Sequence, residues 1–313
     1  PAAFDAVAPI FLLVALGALA VAQGVLDGRA GEALSSFAAK IGIPFLVFDT
    51  LLHADMAGLS PWLLWGCYFP AAGLAWVMGH VLARRVFHLD ARRAVIAGIG
   101  SAFANSAFVG LPLAERAYGA QGVVIVTILI SIHLPVMLTA ATLLMERAER
   151  LGGETPPAST LALIGQVGRN LATNAIVLAI VAAVLMRLAG FGLPGAVQQT
   201  VSAVARAAGP MALVALGAGL RAEGLGRDLG PAIAASAIKL VVMPALVLAA
   251  GRMAQLDAAT LGPLVVLAGV PAGVNVHLVA VQYRTGQAMA AGIVIFTTVA
   301  AALTSTAWLW LLT

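Results

Sequence analysis

Long, predominantly apolar runs constrain this chain more than any other feature. Each has the roughly 17 to 25 residues that a helix needs to cross the hydrocarbon core of a bilayer. They cover residues 4–22, 34–53, 62–83, 94–118, 122–145, 171–188, 197–220, 229–250, 261–283 and 288–312. Apolar residues make up 62% of the chain and charged residues 10%, against about 25% charged in a soluble domain. Such a chain cannot cover itself with polar surface, so lipid is its solvent, and helices satisfy its backbone there. The expected fold class is an all-α polytopic membrane protein with about ten transmembrane helices.

The longest polar connection, 146–160, holds Glu146, Arg147, Glu149, Arg150, Glu154 and Pro156-Pro157. It divides the chain into a first five-helix repeat over 1–150, a cytoplasmic linker over 151–165 and a second repeat over 166–313. Arginines in short loops mark the cytoplasmic side. One side collects Arg29, Arg84, Arg85, Arg92, Arg93, Arg147, Arg150, Arg169, Arg221, Arg227 and Arg284, and the other only Arg116, Arg187 and Arg252. The first side is therefore expected to be cytoplasmic, with both chain ends outside. The net charge of +4 is scattered through these loops without a basic stripe, so no nucleic-acid partner is expected. Asp5 rather than a basic residue precedes the apolar stretch 6–22, which reads as a span and not a signal peptide. The lone Cys67 lies within a span; it excludes a disulfide framework and reads as a small buried hydrophobe.

Five spans per half make the second half start from the opposite face, so any likeness between the halves is an inverted repeat. Such a likeness exists. S-F-A-A-K-I-G-I-P ends at Pro44 in span 2, and S-A-V-A-R-A-A-G-P ends at Pro210 in span 7, with Lys40 and Arg206 four residues before the prolines. Pro61 and Pro231 open spans 3 and 8. Span 4 carries Asn105-Ser106-Ala107-Phe108-Val109-Gly110-Leu111-Pro112 near its middle, and span 9 carries Pro271-Ala272-Gly273-Val274-Asn275-Val276-His277. Proline, glycine and a polar amide together argue against a continuous helix at either place.

Unwound backbone at membrane depth persists only against protein or a water-filled cavity. Two breaks at matching positions in two halves point to a transport site. The half-helix N-termini they create favour an anion, and the asparagine amides both donate and accept. The candidate substrate-binding residues are Asn105, Ser106, Gly110, Pro112, Pro271, Gly273, Asn275 and His277. The plainer reading, two proline kinks with packing asparagines, suits one such span better than a matched pair.

N-S-A-F-V-G-L-P-L, from Asn105 to Leu113, resembles the N-x-x-F-x-G-x-P-L signature of the auxin efflux carrier family, which includes bacterial malonate carriers. P-A-G-V-N-V-H-L-V-A-V-Q-Y, from Pro271 to Tyr283, resembles the second-half counterpart. The resemblance covers essentially the whole chain. It implies a fold like the bile acid/sodium symporters, with broken helices 4 and 9 crossing at the midplane. A core domain would comprise helices 3–5 and 8–10, and a scaffold helices 1, 2, 6 and 7. The resemblance further implies elevator-type alternating access, anionic substrates such as dicarboxylates or auxin, and a homodimer. The short central loop resembles the bacterial members, implying a bacterial inner membrane. Where span 6 of that family often carries Asn-Pro, this chain has Asn174-Ala175, so any role of that proline is absent.

Lys239 lies near the middle of span 8, too deep to snorkel, and joins the candidate binding residues. By the resemblance it sits near the crossover, either attracting a carboxylate or standing as a fixed cation where relatives bind sodium. Paired instead with an internal carboxylate, it would be structural, and Lys239→Ala would lower yield rather than transport. His133, two residues before Pro135, can carry a proton; it and Asp49 are the candidate ion-coupling residues. The ordinary reading of His133 is a satisfied hydrogen-bonder. That of Asp49 and His53, on one helix face, is a pair meeting water at the outer end of span 2. Lys40 and Arg206 read as paired gates or as snorkelling cations. Thr127, Thr139, Thr142, Thr297 and Thr298 are expected to satisfy themselves on their own helices, and Trp308 and Trp310 to form an interfacial belt.

No H-E-x-x-H, G-x-S-x-G, Walker loop or Cys–His metal spacing occurs, so no enzyme, metal site or cofactor is expected. The expected function is secondary active transport of a small organic anion. Few carboxylates lie in the spans to bind sodium, so protons are the expected coupling ion. The alternative from another class is a membrane-embedded carboxylate sensor or channel on the same fold.

Overall fold

A computed structural model describes residues 2–53, 58–151, 165, 168–169, 172–220 and 228–312. Most of the expected linker, with Glu154, Pro156 and Pro157, and the loop arginines Arg221 and Arg227 lie outside these residues. The described residues are nearly all helical, and among them there is no strand, only an isolated antiparallel bridge between Ala104 and Ala272. In chain order the helices are α1 (Ala2–Ala22), α2 (Gly28–Phe37), α3 (Ile43–His53), α4 (Pro61–Arg85), α5 (Ala91–Ala102) and α6 (Leu111–Leu151). They continue with α7 (Ala175–Leu188), α8 (Gly195–Gly219), α9 (Leu229–Ala237), α10 (Met243–Met253), α11 (Ala258–Ala268), α12 (Asn275–Gln282) and α13 (Gln287–Leu312). Among the described residues, 7 helical segments are long and apolar enough to cross a membrane, and α7 and α11 are shorter apolar helices. Within α6 the chain turns at Gly119, whose φ of 62° and ψ of −151° are open to glycine and strained for other residues.

Three π-helical turns, Ala38–Gly42, Ser106–Gly110 and Ile238–Val242, each end two residues before a proline: Pro44, Pro112 and Pro244. Proline has no N–H and its ring crowds the carbonyl four residues back, so the ladder widens by one residue ahead of it. Accordingly Ile43 N–H donates to Ala38 and Met243 N–H to Ile238, five residues back. The carbonyl that Pro244 leaves without its helical donor is that of Leu240, and Trp308 Nε1–H donates to it at 2.9 Å. Trp308 therefore serves an internal contact and not only the expected belt, whereas Trp310 is 77% exposed.

Aspartates start three helices. Asp27, Asp90 and Asp257 accept from Ala30, Arg93 and Thr260 N–H at 2.6, 2.9 and 2.8 Å, satisfying donors that a first turn leaves free. These caps put the starts of α5 and α11 three residues ahead of the apolar runs 94–118 and 261–283. Asn174 likewise caps α7, its Oδ1 accepting from Ile176 and Val177 at 2.9 and 3.3 Å. Ala175 is then the first helical residue, and Asn174 has φ −76° and ψ 118°, backbone that a following proline tolerates. Ala175→Pro should therefore raise stability by roughly 0.4 to 1 kcal/mol, read as a higher thermal midpoint in detergent; a lower midpoint would mean that the Ala175 N–H is needed.

The chain forms two compact units. The first comprises 1–61, 106–131 and 169–220. In it α1 packs on α8 through reciprocal glycines: a Cβ on Gly17 would overlap the Val214 carbonyl oxygen, and one on Gly217 that of Val14. Gly17 meets Val214 and Ala218, and Gly217 meets Val14 and Ala18, so equivalent residues face each other in two strips that both read L-V-A-L-G-A, at 13–18 and 213–218. Arg116 donates to the carbonyls of Asp5 and Ala6, Arg187 to that of Leu51 at 2.7 Å, and Gln198 to the Asp49 carboxylate at 2.7 Å.

The second unit comprises 62–105, 132–168 and 221–313. Arg92 donates to the Tyr283 carbonyl at 2.5 Å and lies 3.5 Å from Glu149, and Arg93 is ion-paired with Asp228. These contacts join groups from connections that the arginine count assigns to one membrane face, as those of Arg116 and Arg187 do for the other face within the first unit.

Candidate functional site

In the second unit α5 ends at Phe103, whose backbone is extended, with φ −78° and ψ 100°. After α11 the chain leaves the helix at Gly269 and resumes it at Asn275. The two unwound strands meet backbone to backbone. Asn105 N–H donates to the Pro271 carbonyl at 2.8 Å, and Gly273 N–H to the Phe103 carbonyl at 2.9 Å, making the Ala104–Ala272 bridge. Ala272 N–H donates to Thr297 Oγ1 at 3.0 Å, and that hydroxyl donates to Ile293 on its own helix at 2.6 Å. Thr297 thus braces the bridge as well as satisfying itself, and Thr298 donates to the Val294 carbonyl of its own helix. Thr127 departs from expectation, since its buried hydroxyl has no partner among the described residues.

The bridge consumes backbone donors that the breaks were expected to leave free. Val276 and His277 N–H are also used, by the Gly273 and Val274 carbonyls at 3.0 Å. Two side-chain nitrogens are left over as well. Asn105 is 5% exposed and its Nδ2 is buried without a partner among the described residues, as is Nδ1 of the half-buried His277. Asn275 is half-buried, and Pro271 and Gly273 are buried.

Lys239 is 0% exposed and donates to Ala268 at 2.5 Å and Val270 at 2.8 Å. Those are carbonyls at the C-terminal end of α11, where a helix leaves acceptors unmatched and its dipole is negative. The ammonium therefore caps the broken helix, and among the described residues it is paired with no carboxylate.

His133 is 3% exposed, its ring 5.2, 5.7 and 6.2 Å from those of Phe103, Tyr68 and Phe69. Neither ring nitrogen attains hydrogen-bond geometry with a described group, although the Ala104 backbone and the Lys239 charge both act on the ring. Asn105, Lys239, His133, Pro271 and Gly273 are thus linked through one bridge. Tyr68 also lies in this cluster, its buried hydroxyl without a partner among the described residues; nothing in the sequence ties an aromatic in span 3 to a histidine in span 5.

The other candidates belong to the first unit. Ser106, Gly110 and Pro112 form the π-helical turn and its proline, and Pro112 packs against Gly209, whose Cβ would lie 3.4 Å from it. Asp49 holds Gln198, and His53 Nδ1–H donates to the Asp49 carbonyl at 2.8 Å. Lys40 and Arg206 are exposed.

A family model described as "Membrane transport protein" matches residues 2–309. A protein of Rhizobium meliloti (strain 1021) with the printed name "Putative malonate transporter" is 27% identical over 318 residues, covering 98% of this chain and 94% of that protein. An "Uncharacterized transporter" of Methanothermobacter thermautotrophicus (strain Delta H) is 26% identical over 246 residues, covering 77% of this chain and 75% of its own.

Proposed function

Because the chain belongs to the membrane transport protein family, that of the auxin efflux carriers, and is a multi-pass membrane protein, we propose that it is a secondary transporter of small organic anions such as malonate or malate. The observation that carries this reading is the pair of side-chain nitrogens, Asn105 Nδ2 and His277 Nδ1, that are buried beside the bridge without a partner among the described residues. Buried donors require acceptors, and a carboxylate supplies them together with a charge opposite to that of Lys239. Asn105, Pro271, Gly273, Asn275, His277 and Lys239 are the binding residues in this proposal. Ser106, Gly110 and Pro112 shape the chain that continues from Asn105. The relative whose printed name includes malonate supports the substrate class.

The spans form about ten crossings in two inverted repeats, in a bacterial inner membrane with both ends outside. The protein works by elevator-type alternating access, as a homodimer, on a scaffold of helices 1, 2, 6 and 7. Support for the scaffold comes from the first compact unit, which holds α1, α2, α3, α7 and α8 together with residues 106–131. His133 carries the coupling proton, and Asp49 lies in the same pathway.

Proteoliposomes containing the protein should accumulate or exchange labelled malonate or malate. Asn105→Ala and Asn275→Ala should each abolish flux, with membrane expression near normal. Saturable binding with no flux for any organic anion would favour a sensor instead. Wild-type flux in both variants would place the site elsewhere.

A further inference from the structure

Resting on the anion-transport reading, we propose that Lys239 and His133 link anion binding to proton uptake by charge: His133 takes up its proton as the anion binds, because the anion supplies the negative charge that two buried cations need. The argument starts from the bridge. Lys239 holds Val270, the residue before Pro271, and Pro271 holds Asn105. His133 packs on Phe103, whose carbonyl receives Gly273 N–H. The lysine and the histidine therefore flank the same pair of unwound strands, each at most 3% exposed. The groups acting on His133 are Tyr68 and Phe69 from α4, Phe103 and the Ala104 backbone from the end of α5, and the Lys239 charge from the π-helical turn. None of them is a carboxylate.

Lys239 has two carbonyl acceptors that favour its charged form. Among these groups His133 has no counter-ion, and only the Ala104 backbone favours its charged form. Like charges repel strongly where water is excluded, and an unbalanced buried charge is severely penalised. An anion held by Asn105 beside the bridge removes that penalty. The proton passes from bulk water to an imidazole nitrogen, no covalent bond in the anion changes, and the bound site gains a proton with each anion. Linkage then makes the effect reciprocal: protonation tightens anion binding by the factor with which the anion tightens protonation.

The test is calorimetric titration of the purified full-length protein with malonate between about pH 6 and 8, in pairs of buffers that differ in ionisation enthalpy. Wild-type protein should take up close to one proton per malonate beyond any taken up by malonate itself, and its affinity should rise about 10-fold per pH unit lowered, since one proton is linked. His133→Gln should still bind malonate, with an affinity nearly independent of pH. Lys239→Met should bind weakly at the upper pH and recover at the lower, where His133 charges unopposed; this arm stands even if His133→Gln fails to fold. Wild-type binding with no proton uptake would overturn the linkage and leave anion transport standing, and so would a proton count that survives in His133→Gln or disappears only in His277→Gln. Failure of wild-type protein to bind any carboxylate would overturn the transport reading and the linkage together.

Discussion

Gly217→Ala should destabilise the detergent-solubilised protein by about 3 kcal/mol, and Gly219→Ala, two residues further on, should cost no stability. The Gly217 hydrogen points at the Val14 carbonyl oxygen, and an added methyl would also lie 2.8 Å from the Val14 carbonyl carbon and 3.0 Å from Ala18 N. These are backbone atoms of a packed helix, which no rotamer change can move. α1 and α8 would have to separate, losing dispersion contacts along the crossing and the Cα–H···O contacts that close approach allows. In lipid, where burying apolar surface drives helices together little, such packing is a main source of association. Gly219 has no atom within 4 Å of an added Cβ, so it controls for the change in helix propensity. Gly17→Ala should reproduce the Gly217→Ala loss, because the crossing is reciprocal. Thermal unfolding followed by size-exclusion chromatography reads all three variants; equal midpoints for Gly217→Ala and Gly219→Ala would refute the close crossing.

That crossing was invisible to a reading by spans. L-V-A-L-G-A stands in the sequence twice, but in spans 1 and 7, which are not counterparts in a repeat that matches span 2 to span 7 and span 4 to span 9. Nothing local announces that two glycines share a contact. Apolar length, in contrast, is a property of each segment by itself, and the runs at 62–83 and 288–312 became α4 and α13 with small shifts at their ends. Helix starts were misjudged wherever an aspartate cap and its polar first turn precede the apolar stretch, as at Asp90 and Asp257.

The breaks in spans 4 and 9 were legible because proline and glycine act on their own backbone. How the broken strands satisfy themselves was not, since the Asn105–Pro271 and Gly273–Phe103 hydrogen bonds join residues far apart in sequence. The expectation of free amides at the half-helix ends did not count the Val276 and His277 N–H groups, which bond within their own turn. Pro244 shows the intermediate case. Its missing N–H predicts a carbonyl in need of a donor at Leu240, but that Trp308 supplies the donor depends on packing.

Lys239→Met should lower anion affinity and flux roughly 100-fold near neutral pH, a loss of about 3 kcal/mol, while membrane yield changes little. The two effects separate because the side chain does opposite things to folding and to binding. For folding, the ammonium satisfies the Ala268 and Val270 carbonyls, each worth about 1 to 3 kcal/mol if orphaned. Methionine fills similar volume without them but also removes a fully buried charge, whose dehydration opposes folding by several kcal/mol in order of magnitude. These contributions offset one another, so a mild net change is expected. For binding there is no offset: on the proposed function the anion loses the Lys239 charge beside the bridge and keeps its own dehydration penalty. Flux in proteoliposomes normalised to protein content, with the thermal midpoint on the same preparations, reads the two effects independently. Collapse of yield with normal flux per surviving molecule would make Lys239 a pin for the broken helix and nothing more. Loss of flux with the midpoint unmoved would identify its charge as part of the anion site.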